Sequence, residues 1–350
     1  MKNKVIDDIK TWLREQPVDK LVEIIADKAV RDQELYTELK LRLEAEKNEP
    51  DVDEIRYLLK SVIEVDDYIS WKEVYDYSNN VSTVVSQVEA MLPEHPDAVM
   101  SLAEEGIRLW EEAVELVDDD GDMGMILDDL LELHLKACEK VKPDPEKLAD
   151  YIYNSSVSSG WGLFCAWRLT YGELLGAKGI ERFRELAEKE WKKVPCIKPV
   201  DKDSKWDSRQ RSVFDQMLTF AKDDGDLKEI IKVLSRNLSK PYDFVTIAEY
   251  CREAGEHELA LQWAEKGLGA FTEFRSYELH SVLADEYLRV GRSDDALNVI
   301  WTSFESTPRL ERYIVLAEYA GKVNVWPEWR EKAIEYLRKG RTKSVSGSEL

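Results

Sequence analysis

The chain has 350 residues, with 71 acidic against 49 basic side chains and a formal net charge of −22. Apolar residues make up 43% and aromatic ones 10%, which is enough for a packed core and excludes wholesale disorder. The same charge disfavours direct nucleic-acid binding, because phosphate contacts need a basic surface.

The opening MKNKVIDDIKTWLREQ lacks the continuous apolar run of a secretion signal, since Asp7 and Asp8 interrupt it. No stretch approaches the ~18 apolar residues of a membrane span. Cys138, Cys165, Cys196 and Cys251 are scattered and fit no metal spacing, so free thiols in a cytoplasmic protein are expected. Breaks at Gln16-Pro17, Asn48 to Asp51, Pro93 with Pro96, and Pro143-Asp144-Pro145 separate helical segments.

From Val99 the apolar residues Leu102, Ala103, Ile107, Trp110, Ala113, Val114 and Val117 recur three and four apart, predicting a helix over 98–117. Leu127, Leu130, Leu131, His134, Ala137 and Cys138 repeat the pattern, as do Phe183, Leu186, Ala187, Trp191 and Val194. Asp119 to Asp122 and Asp223 to Asp226 read as turns between helices. Gly176 and Gly179 are expected to end one helix before the next begins at Ile180. The irregular stretch Val194 to Asp207 is the expected boundary. It separates an acidic helical region, 1–195, from tetratricopeptide-like repeats over 208–341, with 342–350 a disordered tail.

The repeat is legible near the C-terminus. Ala248, Gly255, Ala260 and Leu261 recur at Ala284, Gly291, Ala296 and Leu297, 36 residues on, and a degenerate third copy supplies Ala333 and Ile334. A small Ala lets two helices approach, and Gly accepts the positive φ that ends the first of them. The expected fold is all-α: a right-handed solenoid-like array of helical hairpins, tetratricopeptide-like in its C-terminal part.

The segment GRSDDALNVIWTSFESTPRLERYIVLAEYAG, followed by WPEWREKAIEYL, resembles the end of a helical region of unassigned function. That region follows the zinc finger in bacterial SWIM zinc-finger proteins. LVEIIADKAVRDQELYTELKLRL, ISWKEVYDYSNNVSTVVSQVEAML, LDDLLELHLKAC and GIERFRELAEKEW are similar to its earlier parts, in the same order. The resemblance implies an all-α fold from about Leu21 to Leu337. The finger itself, with its Cys-x-Cys and Cys-x-His pairs, is absent, so no zinc site is carried over.

No reaction motif is present. Asp118 to Asp122 fails as a calcium loop, because setting Gly121 at the sixth position puts Leu116 at the first. His95, His134, His257 and His280 show no i, i+4 pair. His134 lies on an apolar face and is expected to be a satisfied core residue. Cys165 in GWGLFCAWRL has no basic neighbour before Arg168 and reads as a core thiol. Neither SGWG nor GELLGAKG is a phosphate loop. No cofactor and no metal are therefore expected, and the chain reads as a non-enzymatic protein.

The charge is unevenly placed: residues 1–150 hold 39 acids and 18 bases, while 151–350 hold 32 and 31. Between Glu73 and Leu135, 17 acids accompany the single base Arg108. Glu104, Glu105, Glu111, Glu112 and Glu115 lie off the apolar stripe of their helix. With Asp118, Asp119, Asp120, Asp122, Asp128 and Asp129, and with Glu132, they are expected to form one negative surface that docks a protein or peptide, basic ones above all. Solvated helix faces account for the same pattern without any partner. The alternative role is a helical accessory in a nucleic-acid or mobile-element system, beside a separate DNA-binding protein. Trp301, Phe304, Trp326, Trp329 and Tyr336 crowd the last repeats, in core or capping positions or as exposed anchors.

Overall fold

A computed structural model describes residues 2–118, 121–201, 204–271 and 277–345. Among them are eighteen α-helices, one 3-10 turn and no strand, only the isolated bridges Ile69–Val117 and Ile197–Asn237. The chain divides into two compact units, Met1–Phe183 and Arg184–Leu350. The fold is all-α, and each unit is an array of helical hairpins.

In the first unit, α1 (Lys2–Arg14) and α2 (Val18–Ala29) precede α3 (Gln33–Ala45), α4 (Val52–Ile63), α5 (Val74–Ala90), α6 (Pro96–Ala113) and α7 (Asp122–Val141). Side-chain caps begin several of these helices: Asp32 accepts from the Leu35 N–H and Asp51 from the Glu54 N–H. Helices α3, α5 and α7 pack in succession as one layer, while α4 packs on α6 in the other, with α6 and α7 the most extensive pair. The apolar stripe predicted on α6 is buried, from Val99 to Ala113. Gly106 sits on that stripe because α7 comes so close: a Cβ there would stand 2.6 Å from Cδ2 of Leu130.

The helix expected to reach Val117 stops at Ala113. Residues 114–116 tighten into a 3-10 turn, and Val117 is extended so that the Asp118 N–H reaches the Ile69 carbonyl at 2.9 Å. Then come α8 (Pro145–Ser158), the short α9 (Trp167–Thr170) and α10 (Gly172–Trp191), which carries the division between the units. Only Gly176, at φ 52° and ψ −166°, breaks α10. Gly179, expected as a helix end, is helical, and a Cβ on it would lie 2.8 Å from the Pro145 carbonyl.

The second unit holds four hairpins: α11 (Ser208–Asp224) with α12 (Leu227–Leu234), α13 (Pro241–Glu253) with α14 (His257–Ala270), α15 (Tyr277–Arg289) with α16 (Ser293–Ser306), and α17 (Leu310–Lys322) with α18 (Trp326–Val345). Of the expected boundary segment, residues 194–201 and 204–207 belong to this unit. Ile197 exchanges backbone hydrogen bonds with Arg236 and Leu238, and the Trp206 indole donates to the Pro195 carbonyl at 3.0 Å. Of the tail expected over 342–350, the backbone of 342–345 continues α18, and 346–350 lie outside the described residues.

Each of the four hairpins turns on one left-handed residue: Gly225, Gly255, Gly291 and Asn324, at φ 67°, 79°, 80° and 61°. In the last three, the N–H after that residue reaches back five positions. Glu256 donates to Cys251, Arg292 to Tyr287 and Val325 to Ala320, at 2.7–2.9 Å. The expected 36-residue spacing holds between Gly255 and Gly291, but the next unit is shorter, with Asn324 following 33 residues later. That shift moves the degenerate copy by one helical turn. Trp329 takes the place of Ala296, and the buried Ala333 takes that of Ile300.

The aromatic crowd of the last repeats is core packing. Trp301 lies 5.6 Å from Phe304, 5.8 Å from Trp329 and 5.7 Å from Tyr336, and Lys332 covers both indoles. Because the left-handed turn suits Gly and strains other residues, Gly291→Ala is expected to destabilise the chain by about 1–2 kcal/mol. Asn324→Gly is expected to stabilise it, by less than about 1 kcal/mol, both read as shifts of the urea unfolding midpoint.

Candidate functional site

The expected acidic surface is sorted by the packing of α6 and α7 into separate groups. Arg108 donates to both carboxylate oxygens of Glu105, at 2.7 and 3.1 Å, and to Glu112, on the side of α6 that faces α4. Those hydrogen bonds hold the Glu105 carboxyl below the usual carboxylate range. Glu104 and Glu111 line a polar cleft of about 450 Å³ with Arg56, Tyr151 and Asn154. Glu115 and Asp118 are exposed.

Asp122 starts α7 and is half-buried; Asp119 and Asp120 lie outside the described residues. Asp128, Asp129 and Glu132 sit further along α7, toward α5, where Lys136 bridges Glu132 at 2.8 Å and Glu89 at 2.7 Å. Burial, with Glu132, Glu89 and Asp128 nearby, pushes the Asp129 carboxyl up.

This α7 group borders a cleft. Leu127, Leu131 and Leu135 form an i, i+4 ridge on α7, half-buried and facing the loop before α9. Trp161, Phe164 and Tyr171 complete a largely apolar space of about 460 Å³, with Asp128 and Glu132 among its lining residues. The loop is bent to this shape by two left-handed residues, Gly162 at φ 72° and Phe164 at φ 54°. A phenylalanine in that region is strained, and tertiary contacts hold it there. Its ring packs edge-on against Tyr151, Tyr171 and His134. Trp161 meets the buried Trp110 edge-on at 6.1 Å while remaining half exposed.

His134 anchors the wall of this cleft from beneath, fully buried as expected for a satisfied core histidine. The Tyr171 hydroxyl donates to the Leu131 carbonyl at 3.3 Å and stands 2.8 Å from His134 Nδ1. The Nε2 of His134 stands 3.5 Å from the Cys138 thiol and 3.7 Å from the Glu104 carboxylate. Burial pushes Cys138 up to about 12. It also pushes Tyr171 and Tyr151 above their ordinary values.

The periodicity placed Leu127 and Leu131 on the core stripe, because one helix carries two adjacent apolar ridges and spacing does not say which one is covered. Cys165, expected as a core thiol, is exposed at the cleft. The Phe164 turn rolls the side chain after it outward. The second unit has a larger groove of about 740 Å³, lined mainly by polar residues such as Asp295, Asn298, Thr302 and Glu305.

A profile of a family of unknown function, DUF6880, matches residues 14–317. The chain belongs to the DUF6880 family. The match spans α2 through the cleft-forming segments and most of the repeats, and it carries no indication of a SWIM finger. No curated protein matches the chain. Among solved structures, a circular tandem repeat protein with novel repeat topology and enhanced subunit contact surfaces is 15% identical. The alignment covers 94% of this chain and 79% of that one, with a TM-score of 0.24.

Among the described residues of this DUF6880 member, no group of three His, Cys, Asp or Glu side chains is placed to hold a metal ion. No described helix is long and apolar enough to cross a membrane. Thiol accessibility tests the packing. At pH 8, Cys165 and Cys196 are expected to react with an aromatic disulfide reagent in the folded protein. Cys138, near 12, and Cys251, pushed up to about 11 by burial, react only after denaturation, as peptide mass mapping would read out.

Proposed function

We propose that this protein is a non-enzymatic interaction module whose first unit docks a basic, apolar-anchored peptide segment of a partner protein. The observation that carries the proposal is the cleft on α7: a leucine ridge and three aromatic rings bordered by Asp128 and Glu132, with Asp129 close by. An apolar side chain seated there leaves water, at roughly 1.5–3 kcal/mol for a leucine or phenylalanine. Lysines or arginines on either side of it meet carboxylates for which Lys136 is the nearby base. Such a rim sets partner choice and association rate more than total affinity. The hairpin array supplies a rigid frame, as helical repeats do for extended ligands.

A second reading rests on the basic stretch Arg330 to Lys343 on α18, which carries six bases and two acids. It supports the accessory role beside a DNA-binding protein, and salt-dependent gel shifts with and without such a protein would distinguish it.

The peptide proposal is tested with an amphipathic Leu/Lys peptide at i, i+3, i+4 spacing, titrated against Trp fluorescence and by calorimetry. Affinity is expected to fall about tenfold or more in Leu131→Glu, and the salt dependence to flatten in Asp128→Lys/Glu132→Lys. Bound peptide should slow alkylation of Cys165. Equal binding of a Leu/Glu peptide, or undiminished affinity in Leu131→Glu, would overturn the proposal.

A further inference from the structure

Three helices of the first unit meet around a further cleft, of about 450 Å³, which shares no lining residue with the one on α7. Helices α3 and α4 both pack on α5, and the Tyr77 hydroxyl ties α5 to α4 by donating to the Ile63 carbonyl at 2.7 Å. The volume is that of a small-ligand site, but such sites are ordinarily lined by apolar side chains. Neutral hydrogen-bonding groups line this one instead. Gln33 and Thr37 come from α3, Tyr57 from α4, and Asn80, Thr83 and Gln87 from α5. Glu38 is the one charged group among the described lining residues, and Arg42 pairs with it.

The sequence of α5 carries the same signature. From Tyr77 to Val88 it has no charged residue, in a chain that is 34% charged. Val81, Val84, Val85 and Val88 form its buried side. The positions between them hold Asn79, Asn80, Ser82, Thr83 and Ser86, which favour a helix less than Glu or Lys would. Solubility does not call for them either, since charged side chains serve it better. Asn80, Thr83 and Gln87 follow one another at intervals of three and four, along about 10 Å of the helix.

Thr37 supplies an independent observation. It is 2% exposed and lines the cleft, and its hydroxyl has no hydrogen-bond partner among the described residues. A buried polar group is ordinarily partnered, and one left unpaired costs stability. The amides of Gln33 and Gln87 are also unpaired among the described residues. The Thr83 hydroxyl donates to the Asn79 carbonyl at 2.8 Å, which leaves its oxygen to accept.

We propose that this cleft binds a neutral carbohydrate of about disaccharide size. A sugar hydroxyl both donates and accepts, as the amides and hydroxyls of the lining do, and the cleft offers no unpaired charge to an ion. Tyr57, 68% exposed, presents an apolar ring face to the C–H side of a sugar and a hydroxyl to its polar edge. Hydroxyl side chains outnumber amides in the lining, which favours a polyol over a flat nucleobase. The peptide site on α7 plays no part in this binding, so the two proposals stand or fall separately.

Calorimetric titration of the full chain with maltose, cellobiose and diacetylchitobiose tests it. At least one is expected to bind saturably, with a Kd of about 1 mM or below that does not change with salt. Tyr57→Ala and Gln87→Ala, both at surface positions, should each weaken it about fivefold or more. Thr37→Val should weaken it similarly while leaving the urea midpoint unchanged or raised, because an unpaired hydroxyl is removed; a Thr37 with only a structural role would lower the midpoint. No saturable binding of any of the three up to about 20 mM would overturn the proposal. So would affinity undiminished in both Tyr57→Ala and Gln87→Ala, or adenosine binding where the sugars do not.

Discussion

Everything in the second unit hangs on how one helix is stopped and the next begun. A left-handed residue ends the first helix, and in three of the four turns the following N–H reaches back five positions to cap the free carbonyls. That single geometry fixes the angle between paired helices. The same small side chains, Ala248, Ala284, Ala260 and Ala296, then fall at the contact and are buried. A change in unit length, from 36 residues to 33, is absorbed without losing the turn, because what repeats is the cap and not the residue count. Gly267 adds the complementary constraint inside α14, where a Cβ would stand 2.7 Å from that of Phe244.

The first unit is built on a tighter contact. Gly106 lets α7 close onto α6, and that closeness decides which side of α7 is left over. Leu130, Leu133, His134 and Ala137 go inward, and the neighbouring ridge of Leu127, Leu131 and Leu135 is left half-covered. The loop before α9 then curls over part of that ridge, held by the ring cluster around His134. The acidic residues of α7 end up beside an apolar cleft for this reason, whereas those of α6 are spent on Arg108 or turned toward a polar one.

Some of this was legible beforehand. The 3.6-residue period of α6 marked its buried stripe, the glycines at 255 and 291 marked two turns, and His134 on an apolar face marked a satisfied buried residue. The Asn324 turn was missed because asparagine can occupy the left-handed region but does not announce it, although Leu316-Ala317 repeats Leu283-Ala284 at the same distance from the turn. The aromatic residues of the last repeats offered two roles in the sequence, and only their mutual contacts assigned them to packing.

By itself, then, the sequence determined the class of fold, the location of the charge and the repeating turn, since each follows from neighbours within a few residues along one helix. Tertiary structure alone decided which acids share a surface, which leucine ridge stays open, and that Cys165 faces outward while Cys138 does not. Those outcomes depend on how far helices approach and on a strained Phe164 that only its packed surroundings keep in place. A periodic pattern fixes the face of a helix but not what comes to lie against it.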